Sequence, residues 1–505
     1  MQNFLDGLLN VIQTINAYLS DYILVVLLVG VGIFYTIKTR FVQVRCFKQG
    51  LKNVFGSLSL NGKKQKGGMS SFQAFTTAVA AQVGTGNIVG ACGAILLGGP
   101  GAIFWMWIIA FLGMATIYSE AVLAQKTRII GEDGAIQGGP VYYIKKAFKG
   151  KFGKFLAGFF AVATIVALGF VGSMVQSNSI TNAVADSVEG VPDYVKWIVG
   201  IAVATIAGVI FIGGVGRIAS VTEKIVPFMA ILYLMSGLII IFARITFLPE
   251  AIWLIFKFAF TPSAIIGGGI GYALKTAISM GAKRGLFSNE AGMGSTPHAH
   301  AQANVKTAHE QGTTAMIGVF IDTFIVLTMT ALVVIVTMYA GNGQVSQISN
   351  TVIASGGSDK AIQDAISAVG INKNNLVKMS VASLFDGSNI GLTIGGIFVA
   401  VCLLFFAFST ILSWNLFGKI NFVYLFGKKS SIIYTILSLA FILLGAILKS
   451  DLVWECADLA NYLMVIPNAL ALFTLSKLVV NELKENGNRT FKDMPNTPLS
   501  QTIEK

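Results

Sequence analysis

Two glycine-rich interruptions inside apolar segments are where this sequence could do chemistry. The first reads Ala80-Ala-Gln82-Val83-Gly84-Thr85-Gly86-Asn87-Ile-Val-Gly90-Ala-Cys92-Gly93. A glycine in a helix interior costs about 1 kcal/mol relative to alanine, so the run predicts a helix broken near its middle. In a bilayer an unwound segment survives only where it lines a cavity, because bare amides and carbonyls in lipid cost several kcal/mol each. Carbonyls freed by such a break can replace the water shell of a cation, with the Asn87 side-chain oxygen beside them. Amides opening the next half-helix can take a carboxylate. The bland alternative is that these glycines only let helices approach closely.

The second interruption runs from Thr276 through Ser279-Met280-Gly281-Ala-Lys283-Arg284-Gly285-Leu-Phe287-Ser288-Asn289-Glu290-Ala-Gly292-Met-Gly294-Ser295. Gly, charge and amide groups inside an apolar span, at the position that corresponds to the first break, point to a transport site. Ligand contacts are expected between Thr276 and Met280. Lys283, Arg284 and Glu290 are expected further along, at a cytoplasmic gate, with plain interfacial charge pairing as the alternative. Asp322 lies deep in another apolar run, where a charge is expensive. It must face the interior, where it holds a cation or pairs with amides or a lysine, and Glu120 reads as structural.

Other chemistries are absent. His298 and His300 are two residues apart, so on a helix they do not share a face, and no Cys or further His completes a metal set. Cys46, Cys92, Cys402 and Cys456 match no metal-ligand spacing and predict no disulfide. No Ser/His/Asp set, phosphate loop or HExxH pattern occurs, so neither an enzyme nor a resident cofactor is expected.

The elements that must position these residues are membrane helices. Of 505 residues, 54% are hydrophobic and 12% charged, about half the usual charged share. Stretches of roughly 20 apolar residues predict about eleven spans: 22–37, 71–98, 101–125, 154–181, 195–216, 225–246, 264–300, 312–340, 389–418, 431–448 and 452–480. The net charge of +13 could suggest nucleic acid. Most of the Lys and Arg, however, fall in alternate loops, among them Lys38, Arg40, Arg45, Lys48 and Lys52, then Lys126, Arg128, Lys145 and Lys146. That pattern marks cytoplasmic loops and predicts an inner-membrane protein with the N-terminus outside and the C-terminus inside, with no nucleic-acid partner.

Residues 1–20 repeat apolar side chains at helical spacing without a basic leader and read as an interfacial amphipathic helix. Residues 21–70 supply an extra span and a basic loop. Ala74-Phe-Thr-Thr-Ala-Val then matches Ala273-Leu-Lys-Thr-Ala-Ile, with Gly86 falling on Gly285. Five spans separate the two starts, so 71–246 and 247–480 form a 5+5 inverted repeat whose first helix is broken in each half. Residues 341–388 read as an external loop or small lid, and 481–505 as a polar tail. The fold class is therefore all-α and polytopic.

Gly98-Gly-Pro-Gly101-Ala-Ile-Phe104-Trp105-Met-Trp107 resembles the signature of the sodium:alanine (alanine or glycine:cation) symporter family, as do Lys283 to Ser295 and Gly318-Val-Phe-Ile-Asp322-Thr. The resemblance covers nearly the whole chain and implies a fold similar to the bacterial leucine transporter. It implies sodium-coupled symport of a small neutral amino acid, with sodium and the lipid bilayer as the other partners. One sodium would be held by the Ala80 and Val83 carbonyls with the Ser409 and Thr410 hydroxyls, and a second by Asn87. The substrate carboxylate would meet amides at Gly84, Thr85 and Gly86, with Gln176 as a polar contact and Met280 and Trp414 as walls. Arg284, Glu290 and Asp322 remain gating or ion-linked candidates. A proton-coupled permease of similar fold is the alternative. His298 and His300 stand where the family has small residues.

Overall fold

The computed structural model describes residues 2–56, 68–131, 135–188, 190–260, 270–356, 359–448 and 450–487. The interfacial-helix expectation for 1–20 falls within a helix that runs, through a π turn at Leu19–Leu24, directly into the first span. Most of the polar tail lies outside the described residues.

In chain order the helices are α1 (Gly7–Lys38), α2 (Phe47–Phe55), α3 (Ser71–Gln82), α4 (Gly86–Gly98), α5 (Gly101–Thr127), α6 (Pro140–Ala147) and α7 (Gly150–Ala185). Next come α8 (Tyr194–Ile212), α9 (Gly214–Ala243), α10 (Leu248–Phe260), α11 (Ile270–Asn289), α12 (Pro297–Gln302) and α13 (Ala308–Tyr339). The chain closes with α14 (Gln344–Ala354), α15 (Asp359–Ala368), α16 (Leu376–Phe385), α17 (Asn389–Phe426), α18 (Lys428–Gly445), α19 (Ser450–Thr474) and α20 (Ser476–Asn486). Among the described residues nine helices are long and apolar enough to cross a membrane, or ten with the bent pair α3–α4 counted as one. The protein is an all-helical, multi-pass membrane protein.

Burial divides these helices into two groups. In α5 and α19, 67% of the most apolar stretch is inside the bundle, against 33% in α9 and 22% in α18. The outer helices turn Ile212, Phe242 and Ile432 outward, as expected where the surrounding solvent is lipid. The inner group is α3, α4, α5, α7, α11, α13, α17 and α19, whose buried side chains form one connected core.

One end of the bundle gathers the basic loops. There Met69 and Ser70 pair in parallel with Ala303 and Asn304, tying the start of α3 to the end of α12. Ser70 caps α3 by accepting from Gln73 N, while Gln73 Oε1 accepts from Ser70 N. At the opposite end, the segment expected to be a loop or lid folds into α14, α15 and α16. Its apolar positions Val345, Ile362, Ile366, Leu376 and Val377 are buried, and Gln363 donates to Leu96 O at the end of α4. This is the insertion end.

The Gly98-Gly-Pro-Gly101 signature has a packing role. A Cβ at Gly101 would collide with the Phe258 backbone of α10, whereas one at Gly158 on α7 would meet nothing within 4 Å. Gly101→Ala should therefore lower stability by about 1–3 kcal/mol through overpacking. Gly158→Ala should be neutral or stabilising by up to about 1 kcal/mol. Thermal-unfolding midpoints of the two variants in one detergent check the contrast.

Candidate functional site

The first break forms where the sequence places it. Helix α3 ends at Gln82, Val83 is extended (φ −81, ψ 90), and α4 leaves at a 46° bend. The freed carbonyls point at α17: Thr410 Oγ1 donates to Ala80 O at 2.9 Å and lies 3.5 Å from Val83 O. Glycine is required at position 84 by this approach, since a Cβ there would sit 2.5 Å from Thr410 Oγ1. The neighbouring Ser409 hydroxyl is directed elsewhere, to Phe406 O and the Met229 sulfur, so of the expected hydroxyl pair only Thr410 reaches the break.

Asn87 closes the break from inside. Its Oδ1 accepts from Gly84 N at 2.9 Å, and its Nδ2 donates to Asp322 Oδ1 at 2.6 Å. Asp322 of α13 also accepts from Ser288 Oγ at 2.9 and 3.1 Å and from Thr323 Oγ1 at 2.8 Å. A fully buried carboxylate thus joins α3–α4, α11 and α13, and among the described residues all its hydrogen-bond donors are neutral. Gln176 of α7 reaches the same place, its Oε1 accepting from Thr85 N at 3.3 Å.

The second interruption is broken later than the sequence reading placed it. Gly285, the residue matched to Gly86, lies inside the continuous helix α11. Gly281 serves packing there, because a Cβ on it would stand 2.7 Å from Trp105 Cβ. The chain leaves the helix at Glu290 (φ 58), followed by Gly292 (φ 91) and Gly294 (φ 82). A left-handed glutamate costs about 1–2 kcal/mol and needs fixing. Its carboxylate accepts from Ser295 Oγ and Trp414 Nε1, both at 2.5 Å. Glu120 and Asn468 clamp the following turn, Glu120 accepting from Gly292 N and Asn468 donating to Gly292 O.

Two expectations change as a result. Since α11 runs antiparallel to α4, Phe287 and Ser288 lie against Gly86, Arg284 against Gly90, and Met280 against Gly98 at the far end. Met280 is therefore no wall of the break, and Phe287, Ser288 and Asn289 take the place assigned to Thr276 to Met280. Gln82 Nε2 donates to Asn289 O at 2.8 Å across the two breaks. The Gly292-x-Gly294 pair was the signal for the later break. Arg284 is likewise not at the basic end. It pairs with Asp458 of α19 at 3.1 Å beside Trp454, over which Lys373 of the insertion also lies. The Asp458 carboxylate offsets the guanidinium's burial there, which the cytoplasmic interface would otherwise have done.

Trp414 is 1% exposed, edge-on to Phe287 at 5.9 Å, and covers Gly172 of α7. Around the break Gln82 Oε1 and Thr85 Oγ1 are buried without a hydrogen-bond partner among the described residues. Such atoms cost about 1–3 kcal/mol each, and a polar ligand carrying both donors and acceptors fits them. Oxygen donors of this kind suit a hard cation. His298 lies between Ser295 O and Asn421, and His300 against Gln311. Among the described residues no group of three or more His, Cys, Asp or Glu side chains could hold a metal ion.

The family model described as the sodium:alanine symporter family matches residues 5–497. The chain belongs to that family. It is a transporter and not an enzyme. A relative from Methanococcus maripaludis, the sodium/alanine symporter AgcS, is 38% identical over 94% of this chain and 96% of its own length. The amino-acid carrier protein AlsT of Bacillus subtilis is 34% identical over 96% of this chain and 93% of its own. Among solved structures, MhsT in complex with L-phenylalanine superposes with a TM-score of 0.55 at 15% identity, over 86% of this chain and 95% of that one. That likeness places the fold with the leucine-transporter type.

Asp322→Ala should leave the Ser288 and Thr323 hydroxyls without their carboxylate acceptor, at a cost of about 1–3 kcal/mol each, and leave Asn87 Nδ2 only the backbone carbonyl of residue 322 at 3.3 Å. Asp322→Asn, which keeps an acceptor oxygen, should lose less. Thermal unfolding in sodium-free buffer checks the order, and equal losses would remove Asp322 as the hub of the breaks.

Proposed function

We propose that this chain carries a small neutral amino acid, alanine or glycine, into the cell together with sodium by alternating access. The observation that carries the reading is Thr410 Oγ1 poised on Ala80 O at 2.9 Å beside Val83 O, three oxygens gathered at a helix break in the membrane interior. A cation there would take the two carbonyls and the Thr410 hydroxyl, with Ser409 joining after a rotamer change. A second would use Asn87 together with Asp322. The substrate carboxylate would meet the Thr85 and Gly86 amides and Gln176, with its short side chain toward Phe287 and Trp414. The narrow approach at Gly86, where a Cβ would be 3.1 Å from Phe287, favours a small side chain, and the identity to AgcS favours alanine.

Residues 71–246 and 247–480 would be the inverted repeats within eleven spans, with α1 outside them. The basic loops favour an outside N-terminus and a cytoplasmic C-terminus. The Arg284–Asp458 pair then closes the external path, and the Glu290–Trp414 contact the cytoplasmic one. A zwitterion carries no net charge, so each sodium moves one charge inward. At 100 mV this supplies about 2.3 kcal/mol, enough for roughly 50-fold accumulation. The neutral surroundings of Asp322 favour one second reading, proton coupling through that carboxylate.

Proteoliposomes with an inward sodium gradient should accumulate labelled alanine above a matched potassium control. Unlabelled glycine should compete and leucine should not. Thr410→Val should raise the sodium concentration for half-maximal uptake at least about tenfold, the equivalent of 1.4 kcal/mol. Undiminished uptake without sodium at fixed pH would replace the sodium reading with the proton one.

A further inference from the structure

Behind the first break lies a cavity of about 370 Å³ that the transport reading does not use. Val79 and Val83 from the break line it, facing Met229 of α9, Ile321 of α13 and Leu51 of α2. Among the described residues Thr76 is the one lining residue with a hydroxyl, and that hydroxyl donates to Gln73 O. A void of this size without polar partners does not hold ordered water, and left empty it forfeits the dispersion contacts of its walls. It opens toward lipid, since Phe55 and Ile231 line it and are 52% and 63% exposed.

The mouth is positively charged. Lys52 and Lys48 lie one and two turns before the end of α2 on the face of Phe55, and Lys224 precedes Pro227 and Ile231 on one face of α9. All three lysines are exposed, and none has an acidic partner among the described residues. Glu223, the nearest acid in sequence, is adjacent to Lys224 and so faces away from it, and it accepts from Gln73 Nε2 at 3.0 Å.

We propose that this cavity takes one acyl chain of an anionic phospholipid, with the phosphate on Lys48, Lys52 and Lys224. The chain supplies the missing dispersion contacts, and the lysines select the headgroup by charge. The site also touches the cation contact from behind. Val79 and Val83 flank Ala80, and Met229 accepts from Ser409 Oγ at 3.5 Å, so the bound lipid braces the carbonyls that Thr410 meets.

The test does not depend on which solute the protein carries. Full-length protein stripped of lipid in detergent is offered equal amounts of phosphatidylglycerol and phosphatidylcholine, and the lipid retained is counted by native mass spectrometry. The expected result is one phosphatidylglycerol per chain, preferred at least about tenfold. Replacing all three lysines by glutamine should bring the preference near one, while replacing them by arginine should keep it. Ala230→Trp should fill the cavity and expel both lipids without lowering the unfolding midpoint. Leu51→Trp does the same from the opposite wall should the first variant not fold. Equal retention of the two lipids by the wild type, a preference that survives the glutamine triple, or undiminished retention by both cavity-filled variants would overturn the proposal.

Discussion

The whole site depends on one constraint: in a bilayer interior, backbone groups released by a broken helix must find partners within the protein. Asp322 answers it for both breaks at once. It holds Asn87, which in turn accepts from Gly84 N, and it holds Ser288 at the end of α11. One carboxylate on a continuous helix thereby fixes two discontinuous ones. This explains why an ionisable residue is kept at a depth where isolated charge is costly. Three neutral side chains, Asn87, Ser288 and Thr323, supply its hydrogen bonds.

The two breaks are satisfied by different means, which gives them different stiffness. The first is held by a threonine hydroxyl, an asparagine and a glutamine amide, all able to exchange partners with a bound ion or substrate. The second is built into a turn with three residues at positive φ, pinned by Glu290 to Trp414 and by Glu120 to Gly292. Its partners are protein groups already in place. A ligand at the first break would therefore exchange partners group by group, whereas the turn after α11 yields only when the Glu290–Trp414 contact is broken.

The sequence was legible where one local rule governed. The glycine cost and the rule against bare backbone placed the first break within the Ala80–Gly93 run, and the family resemblance narrowed it to Val83–Asn87 and brought Gln176 and Thr410 to it. It misled where long-range packing decided. Gly281 and Gly285 look like helix breakers, yet Gly281 exists so that Trp105 of α5 can approach, and a single glycine in an apolar run reads the same whether it packs or breaks. Depth counted along α11 put Arg284 at the wrong end, because its partner Asp458 is 174 residues away in the chain. The three helices of the insertion have too few apolar residues apiece to announce themselves, and they form because α4 and α17 offer a surface to cover.

The contacts on either side of the site also differ in what opening them entails. A buried ion pair such as Arg284–Asp458 gains little net energy, since desolvation nearly cancels attraction. Separating it into water at the insertion end returns both charges to solvent, so that end opens at small cost. The Glu290–Trp414 bond ties an indole to a left-handed glutamate whose backbone is strained without it. Breaking it exposes a large aromatic surface as well as a carboxylate. On the proposed cycle, opening toward the basic end needs energy from elsewhere, and ligand groups that meet the unpaired Gln82 and Thr85 atoms would supply it.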